Sequence, residues 1–193
     1  ERDGLIAAES NNSGNGVYLA NSTNNAITGL RASNNGGSGV FLDNGAADNI
    51  LADVTASNSG GSNGGVYLYG AWDNTLTNLT VSGNSTYGLY LYAAPNNVIA
   101  GLTASNNTSM GVWIGLSANY NTLTGVTLSN NGSIGLYLGS SSNTTLADLA
   151  SSNNNYGIYV SNSSNNTFTG LLKVGTNTTQ DCYVVGGTSP GLD

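Results

Sequence analysis

The chain has 193 residues, of which 38% are hydrophobic and only 7% are charged, and its net charge at pH 7 is −7. Its three cations, Arg2, Arg31 and Lys173, are too few and too far apart to bind nucleic acid or an anionic membrane surface, since both need clustered Lys and Arg. No apolar run reaches the roughly 20 residues of a membrane helix, so membrane insertion is not expected. Low charge and 28 glycines are compatible with disorder, but a regular series of β-branched and aromatic residues argues for a fold.

A short stretch, GVYL at positions 16–19, recurs along the chain as GVFL, GVYL, GLYL, GVWI, GLYL and GIYV. Successive copies begin 22 to 26 residues apart, a period that is typical of a solenoid. The segments alternate with the period of a strand, show no helical spacing and are separated by Asn, Ser and Gly. The sequence therefore predicts an all-β fold, a parallel β-helix of about seven three-strand coils. The opening glycines are Gly16, Gly39, Gly65, Gly88, Gly111, Gly135 and Gly157.

The first strand of each coil has an aromatic residue between two aliphatic ones. In GVYL, Val17 and Leu19 share one face of the strand and Tyr18 takes the other. Because the aliphatic pair is apolar in every coil, it is expected to face the interior, and the aromatic residue to point outward. Six intervals of about 4.8 Å would make the aromatic column about 29 Å long. Its members are Tyr18, Phe41, Tyr67, Tyr90, Trp113, Tyr137 and Tyr159, with Tyr69 and Tyr92 beside two of them.

The second motif of each coil, NAITGL at positions 25–30, predicts a turn followed by a corner. Ile27 and Leu30 can both face inward only if the chain bends between them, and the bend column contains only Gly, Asn and Asp, which tolerate a left-handed backbone. The turn column predicts a ladder of inward amides with one break, where we expect a weaker turn. The bend column is Gly29, Asp53, Asn78, Gly101, Gly125, Asp148 and Gly170, and the ladder column is Asn25, Asn49, Asn74, Asn97, Asn121, Thr144 and Asn166.

The rhythm GVYL…NNAITGL…ASNN resembles the right-handed parallel β-helix repeats of NosD-type and related carbohydrate-associated proteins, within the pectin-lyase-like superfold. The resemblance covers Gly4 to about Val174, and with the usual hand of parallel connections it implies a right-handed solenoid. It does not imply one function, because that superfold hosts lyases, hydrolases, epimerases, adhesins and scaffolds. We expect the β-helix to span residues 1–174 and residues 175–193 to form an atypical C-terminal segment or partial cap.

Groups that carry catalysis are scarce in the sequence. It has no His and one Lys, so its many Ser and Thr hydroxyls find no base. Asp48 and Asp73 precede ladder asparagines in neighbouring coils, and Asp43 lies on the same loop as Asp48. Carboxylates about 5 Å apart suit calcium or a glycosidase pair. A solvated loop edge is the alternative, because elsewhere the same column holds Asn24, Asn96, Tyr120, Asn143 and Asn165. We expect no catalytic residue and no required cofactor, with calcium at Asp43, Asp48 and Asp73 as an open alternative.

The aromatic column is the main functional lead, and three uses of it compete. The rings could stack only on one another, they could be buried by other protein chains, or they could carry sugar rings. Assembly is the preferred interpretation: a non-catalytic extracellular or cell-surface structural protein, part of a fibre, filament or adhesin that self-assembles or binds other surface chains. The alternatives are a polysaccharide-binding module and, further off, an ice-binding or polysaccharide-cleaving β-helix. The predicted interaction or glycan-binding residues are Tyr18, Phe41, Tyr67, Tyr90, Trp113, Tyr137 and Tyr159.

Overall fold

Parallel strand pairing runs through the whole computed structural model, which describes residues 8–187. The stacked coils form a right-handed β-helix, as predicted, and the part of the chain that the structure describes contains no helix long and apolar enough to cross a membrane. The strands are β1 (Ala8–Ser10), β2 (Val17–Ala20), β3 (Ala26–Thr28), β4 (Arg31–Ser33), β5 (Val40–Asp43), β6 (Ile50–Ser57), β7 (Val66–Tyr69), β8 (Thr75–Ser82), β9 (Leu89–Tyr92), β10 (Val98–Ser105), β11 (Val112–Gly115), β12 (Thr122–Ser129), β13 (Ile134–Gly139), β14 (Thr145–Ser152), β15 (Tyr156–Ser161), β16 (Thr167–Thr169), β17 (Lys173–Gly175) and β18 (Gln180–Val185).

Two sheets make up the wall of the solenoid. The first, which we call the aromatic sheet, has eight strands in the order β18-β15-β13-β11-β9-β7-β5-β2. The second, which we call the bent sheet, follows the order β1-β4-β6-β8-β10-β12-β14-β16, with β3 paired to β6 and β17 paired to β14. The register is continuous, because each aromatic position pairs with the aromatic position of the next coil, from Tyr18 opposite Phe41 onward.

The predicted corner lies inside the strands of the bent sheet. All seven predicted bend residues have positive φ, from 53° at Asn78 and Asp148 to 71° at Gly101 and Gly170. One left-handed residue turns the strand, so its two halves form two walls of the coil and the aromatic sheet supplies the third. This confirms the three-strand coil, although five coils run the second and third strands together as one eight-residue strand.

The aliphatic columns fill the interior, as the strand alternation predicts. In the aromatic sheet, Val66 and Leu68 are fully buried on either side of Tyr67, and in the bent sheet Leu76 and Leu79 are buried on either side of Asn78. Leu and Val dominate this core, and the turns contribute small residues such as the buried Ala71 and Ala94. Stacking one coil on the next therefore buries a continuous apolar column that no coil could bury alone.

Two ladders of asparagines, buried in all but the end coils, line the turns at either end of the bent strands. The first is the predicted one: Asn49 Nδ2 donates to Asn74 Oδ1 at 3.0 Å, and Asn74 Nδ2 donates to Asn97 Oδ1 at 3.1 Å. The second was not predicted, and it repeats the arrangement from Asn84 through Asn107, with amide contacts of 2.9 Å and 3.0 Å. Its members are Asn12, Asn35, Ser59, Asn84, Asn107, Asn131, Asn154 and Asn177.

Each ladder has one break, and both breaks leave a buried hydroxyl unpaired. Thr144 replaces Asn in the first ladder and Ser59 replaces it in the second; both residues are fully buried. Their side-chain oxygens, Thr144 Oγ1 and Ser59 Oγ, are two of the three buried side-chain polar atoms without a hydrogen-bond partner among the described residues. The expected weak point at Thr144 therefore corresponds to an unsatisfied group.

The described structure adds one strand beyond residue 174. Strand β18 pairs in parallel with β15 and brings Tyr183 opposite Tyr159. The sequence pattern did not predict this copy, because Asp181 stands where the other copies have their opening glycine. The boundary between the β-helix and a C-terminal segment stays a prediction, and residues 188–193 lie outside the described part.

Candidate functional site

The aromatic residues of the aromatic sheet form one continuous ladder of rings. Phe41 and Tyr67 are stacked with their centroids 4.8 Å apart, Tyr67 and Tyr90 also at 4.8 Å, and Tyr90 and Trp113 at 4.2 Å with an interplanar angle of 8°. The ladder continues through Tyr137, Tyr159 and Tyr183 with tilted or edge-on contacts at 4.7 to 6.1 Å. Ring stacking of this kind stabilises neighbouring strands, in addition to the apolar area that the rings bury.

The middle of the ladder is buried, which differs from the exposed strip that the sequence suggested. Tyr67 is only 7% exposed and Tyr90 only 5%, because neighbouring rings cover both of their faces and Tyr87 and Tyr92 close the sides of Tyr90. This burial raises the pKa of Tyr67 to about 12 and raises that of Tyr90 as well. Tyr18, in the first coil, is 53% exposed, so the predicted interaction residues differ widely in how much of each ring is accessible.

A second group of large apolar side chains is exposed at one border of the aromatic sheet. Tyr69 is 37% exposed, Trp72 41%, Leu116 47% and Tyr120 61%. We call these four residues the aromatic edge. Tyr69 ends strand β7, and the other three lie in the turns that lead from the aromatic sheet into the bent sheet. The sequence pattern singled out Tyr69 and placed Tyr120 only in a loop column, and Trp72 and Leu116 were missed, although each interrupts a turn that is otherwise made of small or polar residues.

Two residues of the aromatic edge have a backbone conformation that disfavours their side chains. Leu116 has φ 54° and Tyr120 has φ 60°, in the left-handed region that Gly, Asn and Asp adopt most readily. All residues in the column of Tyr120 have a left-handed backbone, and all of them except Tyr120 are Asn or Asp. That column is Asn24, Asp48, Asp73, Asn96, Tyr120, Asn143 and Asn165.

The three aspartates of the calcium prediction lie near the aromatic edge but have visible local roles. Asp43 accepts a hydrogen bond from the Tyr18 hydroxyl at 2.6 Å through Oδ2 and one from the backbone N–H of Asn44 at 2.8 Å through Oδ1. The hydrogen bond to Asp43 raises the pKa of Tyr18. Asp48 and Asp73 are exposed and have φ of 55° and 56°, the left-handed position that precedes a ladder asparagine. Within residues 8–187 no group of three or more His, Cys, Asp or Glu is arranged to hold a metal ion, so calcium binding stays a prediction without structural support.

Comparison with protein families identifies the class of this fold. The model described as "Right handed beta helix region" matches residues 64–171, and the model described as "Periplasmic copper-binding protein (NosD)" matches residues 3–114. Each match covers more than half of the chain, so the chain belongs to the right-handed β-helix family, with NosD-type repeats. No curated protein matches the sequence.

The solved structures that resemble this chain include several enzymes. The periplasmic alginate epimerase AlgG matches at a TM-score of 0.75 and 16% identity, over 90% of this chain and 47% of its own. The A-module of the mannuronan C-5 epimerase AlgE4 from Azotobacter vinelandii matches at 0.65 and 13%, over 94% and 53%. The enzymatically active domain of tailspike protein 2 from bacteriophage CBA120 matches at 0.77 and 11%, over 92% and 32%. This chain thus spans about a third to a half of the length of these proteins, and the likeness concerns the fold.

These comparisons correct two predictions. The interpretation of the chain as a non-catalytic structural protein of a fibre, filament or adhesin is wrong, and so is the prediction that it is not an enzyme, because several structures that resemble it are enzymes and two of these are polysaccharide epimerases. The structure adds a physical reason: the ladder rings that suggested assembly already cover one another's faces at Tyr67 and Tyr90. The alternative of polysaccharide binding agrees better with the relatives.

The copper that the NosD description names does not fit the side chains of this chain. Copper sites in proteins use imidazole, thiolate and thioether ligands, and the sequence contains no His, one Met and one Cys. Met110 precedes the opening glycine of β11, whereas Cys182 lies in β18, three coils further along, which separates them by about 14 Å along the axis. These two residues cannot share one ion.

Proposed function

We propose that this chain recognises a polysaccharide, which lies on the aromatic edge formed by Tyr69, Trp72, Leu116 and Tyr120. Open ring faces are what a sugar ring needs, and the three aromatic side chains of the edge are between 37% and 61% exposed, whereas Tyr67 and Tyr90 of the ladder have no open face. The ladder then supports the edge from one side, because Tyr69 contacts Tyr67 at 6.0 Å and Tyr92 at 5.2 Å. Contacts from the exposed ladder residue Tyr18 belong to the same proposal.

The left-handed conformations of Leu116 and Tyr120 are the observation that carries the proposal. A left-handed backbone costs a bulky residue about 1–2 kcal/mol relative to a residue that tolerates it. Both side chains are largely exposed, so packing offsets little of that cost. Backbone strain that persists without a packing benefit is common at binding and catalytic sites. The presence of an aromatic ring at a position that is otherwise Asn or Asp therefore indicates that the ring contacts a ligand.

Location and partners follow from the same proposal. The NosD description and AlgG are both periplasmic, which supports a location outside the cytoplasm for this chain, either periplasmic or extracellular. Self-association, or contact with other surface protein chains, is the competing use of the aromatic edge, and the exposed Leu116 is the residue that favours it. Sedimentation of the protein without polysaccharide separates the two uses, since only self-association changes the particle mass.

Two substitutions at the aromatic edge test the proposal, with binding to a polysaccharide panel measured by calorimetry. Tyr120→Asn restores the residue type of the column, so we expect the thermal midpoint to rise while affinity falls about tenfold, the equivalent of one aromatic contact of about 1.4 kcal/mol. Trp72→Ala should lower affinity to a similar extent. The matched control is Leu171→Ala, which removes an exposed apolar side chain just past the corner of the bent sheet, two coils beyond Tyr120.

The outcomes separate clearly. Loss of affinity in both edge variants with an unchanged control supports the proposal. Wild-type affinity in Tyr120→Asn and Trp72→Ala, or equal loss in Leu171→Ala, would show that the polysaccharide does not lie on this edge.

A further inference from the structure

The aromatic edge lies in the part of the chain that has no positive charge. Between Arg31 and Lys173 the sequence contains no Lys or Arg, and the edge runs from Tyr69 to Tyr120 in the middle of that stretch. Arg31 pairs with Thr55 and Lys173 with Ala150, so both cations lie on the bent sheet beyond its corner. A ligand on the edge would therefore meet no cation from this chain's described residues in its immediate surroundings.

Distance and salt screening make the attraction between these two cations and a ligand on the aromatic edge negligible. Arg31 lies two coils before Trp72, and Lys173 lies two coils beyond Tyr120, which is about 9.6 Å along the axis in each direction. Each cation is also on a different wall of the coil, so the true separation is larger. The Debye length at physiological ionic strength is about 8 Å, and charges further apart in water are largely screened.

The charges that do lie beside the aromatic edge are negative. Asp73 follows Trp72 directly and is exposed, and Asp48 holds the same column position one coil earlier. Asp43 pairs with Tyr69 across the aromatic sheet. Two like charges about 4 Å apart repel by about 1 kcal/mol in water and by about 4 kcal/mol near a protein surface. A polymer with a carboxylate on each sugar would meet this repulsion repeatedly.

Neutral hydrogen-bonding groups are available at the edge instead. The turn between the coils of Trp72 and Tyr120 presents Asn96, and the turn of Leu116 presents Ser117; both side chains are exposed. An amide and a hydroxyl can each donate and accept, which suits the hydroxyl groups of an uncharged sugar. The composition of the edge, large apolar faces with a few neutral polar groups, is the usual one for a small-molecule or sugar site.

The spacing of the exposed rings gives the direction of the ligand. Trp72 and Tyr120 lie in turns two coils apart, or about 9.6 Å along the solenoid axis. The turn between them contains Ala93, Ala94 and Pro95, whose small side chains project little from the surface. This separation is close to the length of two sugar units in an extended β-1,4-linked chain, so rings two coils apart would meet every second sugar.

From the charge map and this spacing we infer that the ligand of the aromatic edge is an uncharged, extended β-linked polysaccharide that runs along the solenoid axis. The inference rests on the proposed function and names its substrate class. It differs from what the likeness of fold alone would suggest, because the similar epimerase AlgG is named for alginate, and alginate carries carboxylates.

The test compares uncharged and acidic polymers on the intact chain. Calorimetric titrations with β-1,4-glucan and β-1,4-mannan oligosaccharides, and with alginate and polygalacturonate oligosaccharides of equal length, are run at low and physiological salt with a chelator present. We expect the uncharged oligosaccharides to bind with affinities that change less than about twofold with salt, and the acidic ones to bind at least about tenfold more weakly at low salt. Asp73→Asn, which keeps a residue type of its column, should strengthen acidic binding at low salt and leave uncharged binding unchanged.

Each result has a distinct meaning. Acidic oligosaccharides that bind as tightly as uncharged ones in chelator would overturn the inference and leave the proposed polysaccharide function standing. Acidic binding that exceeds uncharged binding only after calcium is added would also overturn it, in favour of the calcium prediction at Asp43, Asp48 and Asp73. Absence of binding to every polymer would remove the proposed function itself.

Discussion

The substitution Thr144→Asn should stabilise the protein, because it repairs the break in the first asparagine ladder. Elsewhere in this ladder, the backbone N–H of one asparagine donates to the side-chain oxygen of the next, at 3.0 Å from Asn49 to Asn74 and 2.8 Å from Asn97 to Asn121. At Thr144 the hydroxyl oxygen is fully buried and has no partner in the described structure. An asparagine there would place Oδ1 where the Asn121 N–H can donate to it.

The expected magnitude follows from the bonds that would be gained. Each new hydrogen bond contributes about 0.5–1.5 kcal/mol net, and removing an unsatisfied buried hydroxyl relieves about 1–3 kcal/mol. Part of this is offset by fitting a larger side chain into a packed turn, so we expect a net gain of about 1–2 kcal/mol. For a chain of this length that is a rise in Tm of about 2–8 °C.

The assay is thermal unfolding followed by circular dichroism, with two companion variants. Ser59→Asn repairs the second ladder in the same way and should also raise Tm. Asn97→Thr creates a new break and should lower it by a comparable or larger amount, since Asn97 Oδ1 accepts from Asn74 and its amide donates to the Ala71 carbonyl. If both repairs lower Tm while Asn97→Thr leaves it unchanged, the amide ladders do not stabilise this solenoid and the reasoning is refuted.

Three further predictions concern single side chains. Tyr90→Ala removes a buried ring that is stacked between Tyr67 and Trp113. It should lower the free energy of unfolding, measured with a chemical denaturant, by about 3–5 kcal/mol and shift Trp113 fluorescence to the red. A loss below about 1 kcal/mol would mean that the stack is dispensable. Burial raises the pKa of Tyr67 to about 12 in the folded chain, against about 10 in the unfolded chain. The free energy of unfolding should therefore not depend on this group below pH 10 and should fall between pH 10 and 12, and a Tyr67→Phe variant should show a smaller fall. Burial raises the pKa of the Cys182 thiol, so iodoacetamide should modify it more slowly at pH 8 than after unfolding, and equal rates would contradict this.

The fold could be predicted from the sequence because its constraints repeat in every coil. A strand alternation seen once is weak evidence, but Val17 and Leu19 around Tyr18 recur with the same parity in each copy. The corner was equally readable, since only residues that tolerate positive φ occupy its column, and the structure confirms positive φ at all of them. The last copy was missed where one residue of the pattern, the opening glycine, changes to Asp181.

The candidate site was harder to predict because it departs from the repeat. Ring burial depends on neighbours in three directions, so the sequence could not tell that Tyr67 and Tyr90 would be covered while Tyr69 stays open. Trp72 and Tyr120 stand in turns, where the alternation of a strand does not predict which side chains point outward. A usable signal existed all the same, since Tyr120 is the single residue other than Asn or Asp in its column.

The central claim, that a polysaccharide covers the aromatic edge, is tested most directly by the fluorescence of Trp72. The chain has two tryptophans, so Trp113→Phe, which keeps an aromatic ring in the ladder, leaves Trp72 as the sole reporter. Titration with an uncharged β-1,4-linked oligosaccharide should shift its emission to the blue and protect it from quenching by acrylamide. If the oligosaccharide binds by calorimetry while Trp72 emission and quenching stay unchanged, the polysaccharide lies elsewhere and the account of this site is contradicted.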